Sequence, residues 1–181
     1  MDSDERSAMN QAPDTIVLRP ARPSDMAAVA AIYSHYVLHT AISFEIDPPS
    51  ANVMTQRYED ILAAGAPYLV ATHHDTVVGY AYAGTYKPRA AYRHTVEHSV
   101  YLEPSAAGRG IGRLLLERLV DACTEAGFRE MVATVAGDDN HASLRLHERC
   151  GFVLVGKLKN VGFKHGRWID VTLMQRSLGV A

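Results

Sequence analysis

Three glycines at alternate positions, Gly108, Gly110 and Gly112, separate an alternating β-branched run from an amphipathic helical pattern. A strand, a glycine turn and a helix in this order are typical of an anion site. Glycine lets the backbone approach a bulky ligand closely, and a helix start offers free N–H groups and the positive end of the helix dipole. Because Arg109 and Arg113 add positive charge to the same turn, this stretch predicts a pyrophosphate site.

Two common phosphate-binding motifs do not fit this turn. The dinucleotide motif G-x-G-x-x-G would require a glycine at position 113, where the chain has arginine. The nucleoside triphosphate motif G-x-x-x-x-G-K-[ST] would require Lys-Ser or Lys-Thr after Gly112, where the chain has Arg113 and Leu114. The pyrophosphate is therefore expected to belong to another kind of cofactor.

Glu97 is a candidate general base, since it is a carboxylate inside the apolar and β-branched run 95–102. A carboxylate at such a position either faces a polar cleft or is paired with a cation. Amide formation from an amine needs a base, because an alkylamine with a pKa of about 10.4 is almost fully protonated at neutral pH. The residues alone leave a structural alternative open, in which Glu97 faces solvent or pairs with Arg93 or His98.

A cationic and aromatic loop, residues 84–93, leads directly into the strand that carries Glu97. It contains Arg89, Tyr92 and Arg93, and a guanidinium group can hold a carboxylate through two parallel hydrogen bonds. The loop could therefore bind the carboxylate of an amino-acid substrate beside the proposed base. It could equally be an ordinary solvated loop.

Hydrophobic periodicity and turn signals predict an α/β domain in the order β-α-α-β-β-β-α-β-α-β-β. The predicted strands are residues 15–19, 68–72, 77–83, 95–102, 130–136, 152–160 and 168–175, and residues 162–166 connect the last two. One helix starts near residues 22–26, and the others are predicted at 50–64, 111–126 and 140–149. The helix after the glycine turn has a predicted apolar face of Ile111, Leu114, Leu115, Leu119, Cys123 and Ala126.

The composition is that of a single-domain globular protein. With 181 residues, 48% apolar and 21% charged, the chain is long enough for one domain, predicted over residues 15–178. Residues 1–14 are polar, lack the pattern of a signal peptide and are predicted to form a disordered tail. A formal charge of -2 gives no reason to expect nucleic acid or an anionic membrane as a partner.

No run of about 20 apolar residues occurs, so no membrane span is predicted and a cytoplasmic location is expected. Cys123 and Cys150 lie in helical patterns without a C-x-x-C partner and are predicted to be reduced and buried. His35 and His39 are one helical turn apart, a spacing that can bind a metal. Neither a third ligand nor an H-E-x-x-H motif accompanies them, so no metal site is predicted.

The glycine turn, residues 107–112, resembles the R/Q-x-x-G-x-G/A turn of the GCN5-related N-acetyltransferases (GNAT), whose backbone amides hold the pyrophosphate of coenzyme A. Ala107 departs from the Arg or Gln of that pattern. The element order over residues 15–178 is also similar to that of the superfamily. Within it, the segments 92–102, 143–152 and 162–171 resemble the phosphinothricin and methionine sulfoximine N-acetyltransferase branch.

The resemblance implies a mixed, mostly antiparallel central sheet flanked by helices, acetyl-CoA as co-substrate and a homodimer. It also implies that Glu97 is the general base and that a backbone N–H near residues 100–102 binds the thioester carbonyl, because the pantetheine arm lies along this strand. Together, the turn and the resemblance predict the cofactor-binding residues Val100, Tyr101, Leu102, Gly108, Arg109, Gly110, Ile111, Gly112, Arg113, Asn140 and Ser143.

His147 lies four residues before Gly151, where the superfamily places a tyrosine that acts as an acid. An imidazole with a pKa of about 6.5 can protonate a thiolate with a pKa of about 8.5, but it could also simply cap or pack within its helix. Asn140 is explained in part by capping that helix, and the resemblance adds a hydrogen bond to the cofactor.

The predicted substrate-binding residues are Phe44, Arg89, Tyr92, Arg93 and Lys164. Phe44 is included because the loop after the first helix usually walls the acceptor site in this superfamily. Lys164 is included because the late hairpin is implied to border the acceptor pocket or the dimer interface.

The expected function is acetyl-CoA-dependent acetylation of the α-amine of a small amino-acid-like substrate, such as phosphinothricin, methionine sulfoximine or methionine sulfone. Direct transfer is expected, because the sequence shows no Cys or Ser nucleophile with a base at a recognisable spacing. One alternative keeps the fold and changes the acceptor to a polyamine, an aminoglycoside or a protein N-terminus. Another alternative is a non-catalytic sensor that binds acyl-CoA.

Overall fold

In the computed structural model, which describes residues 15–137 and 139–179, seven strands form one sheet in the order β1-β2-β3-β4-β5-β7-β6. The predicted tail, residues 1–14, lies outside the described residues. The strands are β1 (Ile16–Pro20), β2 (Tyr68–His73), β3 (Thr76–Thr85), β4 (Thr95–Leu102), β5 (Glu130–Ala136), β6 (Val153–Lys164) and β7 (Arg167–Ser177). The helices are α1 (Met26–His39), α2 (Ala51–Ala63), α3 (Ile111–Glu125) and α4 (His141–Arg149).

The sheet is antiparallel at every junction except the central one, where β4 and β5 run parallel. This parallel pairing joins only residues 95–97 to residues 130–132, although β4 continues to Leu102 and β5 to Ala136. The two strands therefore separate in their second halves, and a cleft opens in the middle of the sheet. The predicted element order and the mixed, mostly antiparallel sheet are confirmed.

The sheet carries a separate apolar core on each face. Helix α3 packs on one face against residues such as Val96 and Met131, and helices α1 and α2 pack on the other against Tyr68 and Tyr80. Side chains alternate along a strand. On β4, the even-numbered residues therefore face α3 and α4, and the odd-numbered residues, including Glu97, face α1 and α2.

Two predictions from the sequence were wrong in part, one about the end of β6 and one about the buried face of α3. Residues 162–164 were predicted to lie in the connection between the last strands, but they belong to β6. The connection is only His165 and Gly166, whose φ angles of 50° and 72° form the left-handed turn that a two-residue hairpin prefers. In α3, Leu114 is 46% exposed while Leu116 and Val120 are buried instead, because the buried arc of the helix lies on the other side of Ile111. Ala126 is exposed because it is the C-cap, one residue beyond the end of the helix.

The predicted cysteine chemistry agrees with the structure, since both cysteines are free and buried. Burial raises the pKa of the Cys123 thiol to about 12. Within residues 15–137 and 139–179, no helix is long and apolar enough to cross a membrane.

Candidate active site

The cleft exposes backbone groups of β4 that would otherwise bond to a neighbouring strand. The N–H of Glu103 donates to the carbonyl of Val78 at 2.9 Å, so the peptide groups of odd-numbered residues face β3. The peptide N–H and C=O groups of Val100 and Leu102 point away from β3, because successive residues of a strand alternate in direction. Beyond the last β4–β5 pair they face the cleft, where an extended ligand with amide groups can bond to them as an added strand would.

Tyr36 ties α1 to the end of this strand. Its hydroxyl donates to the carbonyl of Leu102 at 2.6 Å, and its ring packs against Tyr101 with centroids 5.1 Å apart. Burial raises the pKa of the Tyr36 phenol, which keeps it protonated as a donor. The contact holds the last turn of α1 beside the mouth of the cleft.

The glycine turn has the backbone that its sequence predicts. Gly108 and Gly110 have φ angles of 76° and 81°, and a Cβ at either position would meet nothing within 4 Å. Glycine is therefore needed for the left-handed backbone and not to avoid a neighbour. The N–H groups of Arg113 and Leu114 bond to the carbonyl of Gly110, so α3 begins here and the N–H groups of its first residues are available to a ligand.

A groove of about 510 Å³ runs from the cleft over this turn to α4. Most of the predicted cofactor residues line it: Val100, Tyr101, Leu102, Gly108, Gly110, Gly112, Arg113, Asn140 and Ser143. Two do not. Ile111 is 1% exposed and packs in the core, so only its backbone can face a ligand, and Arg109 is exposed on the turn outside this lining.

Other residues of the groove were missed from the sequence. The main ones are Tyr36, Ile42, Arg145, Leu146 and Arg149. Arg145 and Arg149 are one helical turn apart on α4 and share the groove with Arg113. The i, i+4 spacing of Arg145 and Arg149 was the sequence signal that could have identified them. With Arg113, their guanidinium groups give the edge of the groove a positive charge suited to binding phosphates.

Asn140 caps α4, as predicted. Its Oδ1 accepts from the N–H of Ser143 at 3.4 Å, and its Nδ2 donates to the carbonyl of Ala136 at 3.4 Å. The side chain therefore connects the end of β5 to the start of α4 on one wall of the groove.

Glu97 is half-buried on the α1 and α2 face and accepts a hydrogen bond from the hydroxyl of Thr134 on β5. This contact crosses the cleft just beyond the point where the strands separate. Gly84 is its partner on β3, and no atom lies within 4 Å of the Cβ position there, so the space beside the carboxylate stays open. Its side-chain partner is therefore Thr134, and neither Arg93 nor His98 pairs with it among the described residues.

His147 is buried and bonded at both ring nitrogens. Its Nδ1 is 2.7 Å from the carbonyl oxygen of Ser143, and its Nε2 is 3.2 Å from Nε2 of His98. The ring of Phe152 lies 5.2 Å from each imidazole centroid. Burial lowers the pKa of His147, and burial together with the charge of His147 lowers the pKa of His98 to about 3.

Glu97 lies on one face of the sheet, and His98 and His147 lie on the other. The cleft connects the two faces. A cavity of about 80 Å³ is lined by Thr134 from β5, by His98 and Ser99 from β4, and by Ser143 and His147 from α4. His98 was considered from the sequence only as an ion-pair partner of Glu97. No sequence signal connects it to a residue 49 positions away.

Arg89 and Arg93 line a different cavity, of about 220 Å³, beside Ala66, Val96 and Phe128. Glu97 does not line it, because Val96 and Glu97 face opposite sides of the sheet. Tyr92 is 37% exposed and packs against Tyr86 with ring centroids 5.6 Å apart. Within one chain, the structure therefore does not bring the cationic loop and the proposed base into one cavity.

Phe44 and Lys164 both connect the loop between α1 and α2 to β6. The ring of Phe44 lies so close to Gly162 that an added Cβ there would be 2.4 Å from it. The ammonium of Lys164 is buried and donates to the carbonyl of Ser43 at 2.6 Å. Burial lowers the pKa of Lys164, and the nearby Glu45 partly offsets that effect.

Arg57 is a cation on the Glu97 face that sequence reasoning missed. It forms a two-point ion pair with Glu45, at 2.7 and 3.2 Å, and Glu45 also accepts from the hydroxyl of Tyr33. Burial raises the pKa of the Tyr82 phenol, and the charges of Arg57, Glu45 and Glu97 also act on it.

The two histidines considered as metal ligands, His35 and His39, have ring centroids 5.1 Å apart. In the part of the chain that the structure describes, no group of three His, Cys, Asp or Glu side chains is placed to hold a metal ion. Their sequence spacing is therefore explained by neighbouring positions on one face of α1.

A mixed sheet whose parallel central pair separates beside a glycine turn and a helix start defines an N-acetyltransferase fold of the GCN5-related type. The chain belongs to the GNAT acetyltransferase family, because residues 18–173 match the family model described as an acetyltransferase (GNAT) domain. The family resemblance predicted from the sequence is confirmed, and so is the prediction of an N-acetyltransferase.

Relatives of known name cover most of the chain. A phosphinothricin N-acetyltransferase from Alcaligenes faecalis is 47% identical over 177 residues, which is 98% of this chain and 90% of the relative. An L-methionine sulfoximine/L-methionine sulfone acetyltransferase from Salmonella typhimurium is 40% identical over 163 residues, or 90% and 95% of the two chains. The crystal structure of a phosphinothricin acetyltransferase from Sinorhizobium meliloti, in complex with acetyl-CoA, has a TM-score of 0.87 and 45% identity and covers 91% of this chain and 89% of that one.

The glycine turn gives a testable prediction. Gly110→Val should weaken acetyl-CoA binding strongly, because a branched side chain disfavours the left-handed backbone that presents the first N–H groups of α3. Titration calorimetry with acetyl-CoA measures the effect. Gly127→Val is the matched control, since Gly127 has a φ of 87° and nothing within 4 Å of its Cβ position, but lies at the other end of α3. Equal acetyl-CoA affinities in the two folded variants would contradict the assignment.

Proposed function

We propose that the protein transfers the acetyl group of acetyl-CoA directly to the α-amine of a small amino-acid-like substrate of the phosphinothricin, methionine sulfoximine or methionine sulfone type. The observation that carries this proposal is the cleft between β4 and β5, with an anion-binding groove at one end and a carboxylate on its open face. The names of the relatives support the substrate class. The bound acetyl-CoA of the similar structure supports the co-substrate.

In this proposal, the glycine turn holds the pyrophosphate on backbone N–H groups, and Arg113, Arg145 and Arg149 supply positive charge around it. The backbone of Val100 and Leu102 holds the pantetheine arm in the cleft. One of their N–H groups donates to the thioester carbonyl and stabilises the negative charge that develops on its oxygen. Asn140 and Ser143 complete the wall on the α4 side.

Glu97 is proposed to remove the proton from the attacking amine, directly or through one water. Thr134 orients the carboxylate by donating to it, and the absence of a side chain at Gly84 leaves room for the amine. His147 is proposed to supply the proton that the departing thiolate needs. The base and the acid lie on opposite faces of the sheet, which fits their proposed tasks. Glu97 takes a proton from the acceptor amine, and His147 gives a proton to the departing thiolate.

Phe44 is proposed to wall the acceptor pocket, and Lys164 is proposed to act on that pocket indirectly by holding the loop through Ser43. Two sources of positive charge remain as candidates for the substrate carboxylate. The cationic loop with Arg89, Tyr92 and Arg93 was selected from the sequence. Arg57 lies on α2, which packs on the same face of the sheet as Glu97, but it already binds the carboxylate of Glu45.

Glu97→Gln tests the proposed base. The amide keeps the shape and the bond from Thr134 but accepts no proton, so kcat should fall about 100-fold or more at neutral pH, within the range of general-base contributions. Part of the loss should be recovered at high pH, where more of the amine is neutral. Glu103→Gln is the matched control, because Glu103 directly follows the same strand and, among residues 15–137 and 139–179, its side chain accepts hydrogen bonds from Ser105. A wild-type rate and pH profile in Glu97→Gln would place the base elsewhere.

The substrate class is tested with pairs of amines that differ only in the α-carboxylate. An amino acid should be acetylated roughly tenfold to a hundredfold more efficiently in kcat/KM than its decarboxylated analogue, because a cation left without its partner costs about 1.5 to 3 kcal/mol. The preference should disappear in Arg89→Ala or Arg93→Ala, or in Arg57→Ala if that residue is the ligand. Equal efficiency for both amines in the wild-type enzyme would reopen the substrate class. Binding of acetyl-CoA without turnover of any amine would indicate a sensor.

We also propose a homodimer and a cytoplasmic location. The hairpin of β6 and β7 leaves a large apolar surface uncovered: Val153, Leu154, Val155, Leu158, Val161, Phe163 and Trp168 are each 45% to 68% exposed. Such a patch on an edge strand is typical of a surface that a second chain covers. Two free cysteines and the proposed use of acetyl-CoA fit a reducing compartment.

Leu154→Glu should therefore convert the dimer to a monomer, because it places a charge in the centre of this apolar surface. Light scattering coupled to size-exclusion chromatography measures the mass. Leu38→Glu is the control, since Leu38 is also more than half exposed, at 51%, but lies on α1. A monomeric wild-type protein, or a dimer that persists in Leu154→Glu, would exclude this interface.

A further inference from the structure

The contacts of His147 determine which of its nitrogens carries the proton. The carbonyl oxygen of Ser143, 2.7 Å from Nδ1, can only accept a hydrogen bond, so Nδ1 is protonated. Burial disfavours the charged form of the imidazole, and in the neutral form Nε2 then has a free lone pair. The hydrogen in the 3.2 Å contact between the two Nε2 atoms must therefore belong to His98.

The same reasoning leaves one nitrogen of His98 without a proton or a partner. With its hydrogen on Nε2, neutral His98 has a bare Nδ1. This atom is buried and accepts no hydrogen bond from any of residues 15–137 and 139–179. A buried acceptor in that condition calls for a donor such as an ordered water.

This arrangement restricts how His147 can act as an acid. A neutral imidazole can release its Nδ1 proton readily only if its Nε2 gains a proton in the same step. The group at hand to supply that proton is the Nε2–H of His98. His98 can supply it without becoming an anion only if its own Nδ1 accepts a proton at the same time.

We propose that His98 and His147 form a two-imidazole proton relay that protonates the departing thiolate; this inference rests on the proposed acetyl transfer. The proton that Glu97 has taken from the amine passes through the hydroxyl of Thr134 and a water in the cavity to Nδ1 of His98. The Nε2 proton of His98 then passes to Nε2 of His147, and the Nδ1 proton of His147 passes through the hydroxyl of Ser143 to the thiolate. One proton enters and one leaves. Both rings remain neutral and each changes its tautomer.

Both histidines line one small cavity between β4, β5 and α4. The cavity of about 80 Å³ lined by His98 also contains Thr134, whose hydroxyl bonds to Glu97. It has room for a water, which needs about 10 to 15 Å³ of such space. At the other end, the hydroxyl of Ser143 is 3.4 Å from Nδ1 of His147, and Ser143 lines both this cavity and the cofactor groove.

The resting tautomers return by the reverse transfer after the products leave. A proton from solvent enters through the opened groove at Nδ1 of His147, the Nε2 proton of His147 passes back to Nε2 of His98, and the proton on Nδ1 of His98 leaves through the cavity to solvent. No oxidant or other reactant is needed. Because His98 acts through His147, it is a positioning and relay residue and not a catalytic residue in its own right.

His98→Gln separates a relay from a merely structural role. The glutamine amide can donate to Nε2 of His147 as the imidazole does, so it preserves the tautomer of His147, but it cannot pass a proton on. The relay predicts a fall in kcat of about 100-fold, within the range of acid–base contributions, with unchanged KM and affinity for acetyl-CoA. A rate close to that of the wild type would overturn it.

A double-mutant cycle gives an independent test. If both imidazoles serve one pathway, His98→Gln combined with His147→Gln should be no slower than His147→Gln alone. Multiplication of the two losses would overturn the relay. Phe152→Leu is the packing control, because its ring contacts both imidazoles without taking part in the bond between them. It should retain most of the activity, and a loss as large as that of His98→Gln would also overturn the proposal.

A measurement on the wild-type enzyme keeps the proposal testable if His98→Gln does not fold. The single-turnover rate in mixtures of H₂O and D₂O should fall along a curve, because several protons move together. A linear dependence, which indicates one proton, would overturn the relay. Failure of the proposed function is distinguishable, because it would appear as absence of acetyl transfer by the wild-type enzyme itself.

Discussion

The separation of β4 from β5 after three residue pairs is the constraint on which the rest of the structure depends. A strand that loses its neighbour leaves N–H and C=O groups that must find other partners. Here the end of β4 is fixed by Tyr36, while Asn140 binds the end of β5 to α4. The backbone between those two attachments is available to a ligand.

The elements beside this cleft keep it open and place different chemical groups on its two sides. Helix α3 starts at Gly110, next to the free end of β4, so its N–H groups and its dipole act on the same space. On the opposite side, Phe44 and Lys164 hold the loop between α1 and α2 against β6. The glycine turn and the loop held by Lys164 therefore lie in different parts of the fold, as the separate contacts of each show.

Burial decides what each ionisable group in the cleft can do. Glu97 is half-exposed and bonded to Thr134, whereas His98 and His147 are buried, and burial lowers the pKa of both imidazoles. Because they lie on opposite faces of the sheet, the carboxylate and the imidazoles do not form a direct ion pair. Thr134, which bonds to Glu97, lines the same cavity as the two histidines.

The sequence alone determined the element order, the exact bounds of β4 and β5, and the glycine turn with Gly110 at the helix start, because these follow from local periodicity and backbone preference. The family followed from the resemblance of its motifs. Only the tertiary structure decided which side chains meet. The bond between His98 and His147 joins residues 49 positions apart, and the contact of Lys164 with Ser43 joins residues 121 apart. Likewise, strand alternation placed Val96 with Arg89 and Arg93 and turned Glu97 away from them, since neighbours in sequence face opposite sides of a sheet.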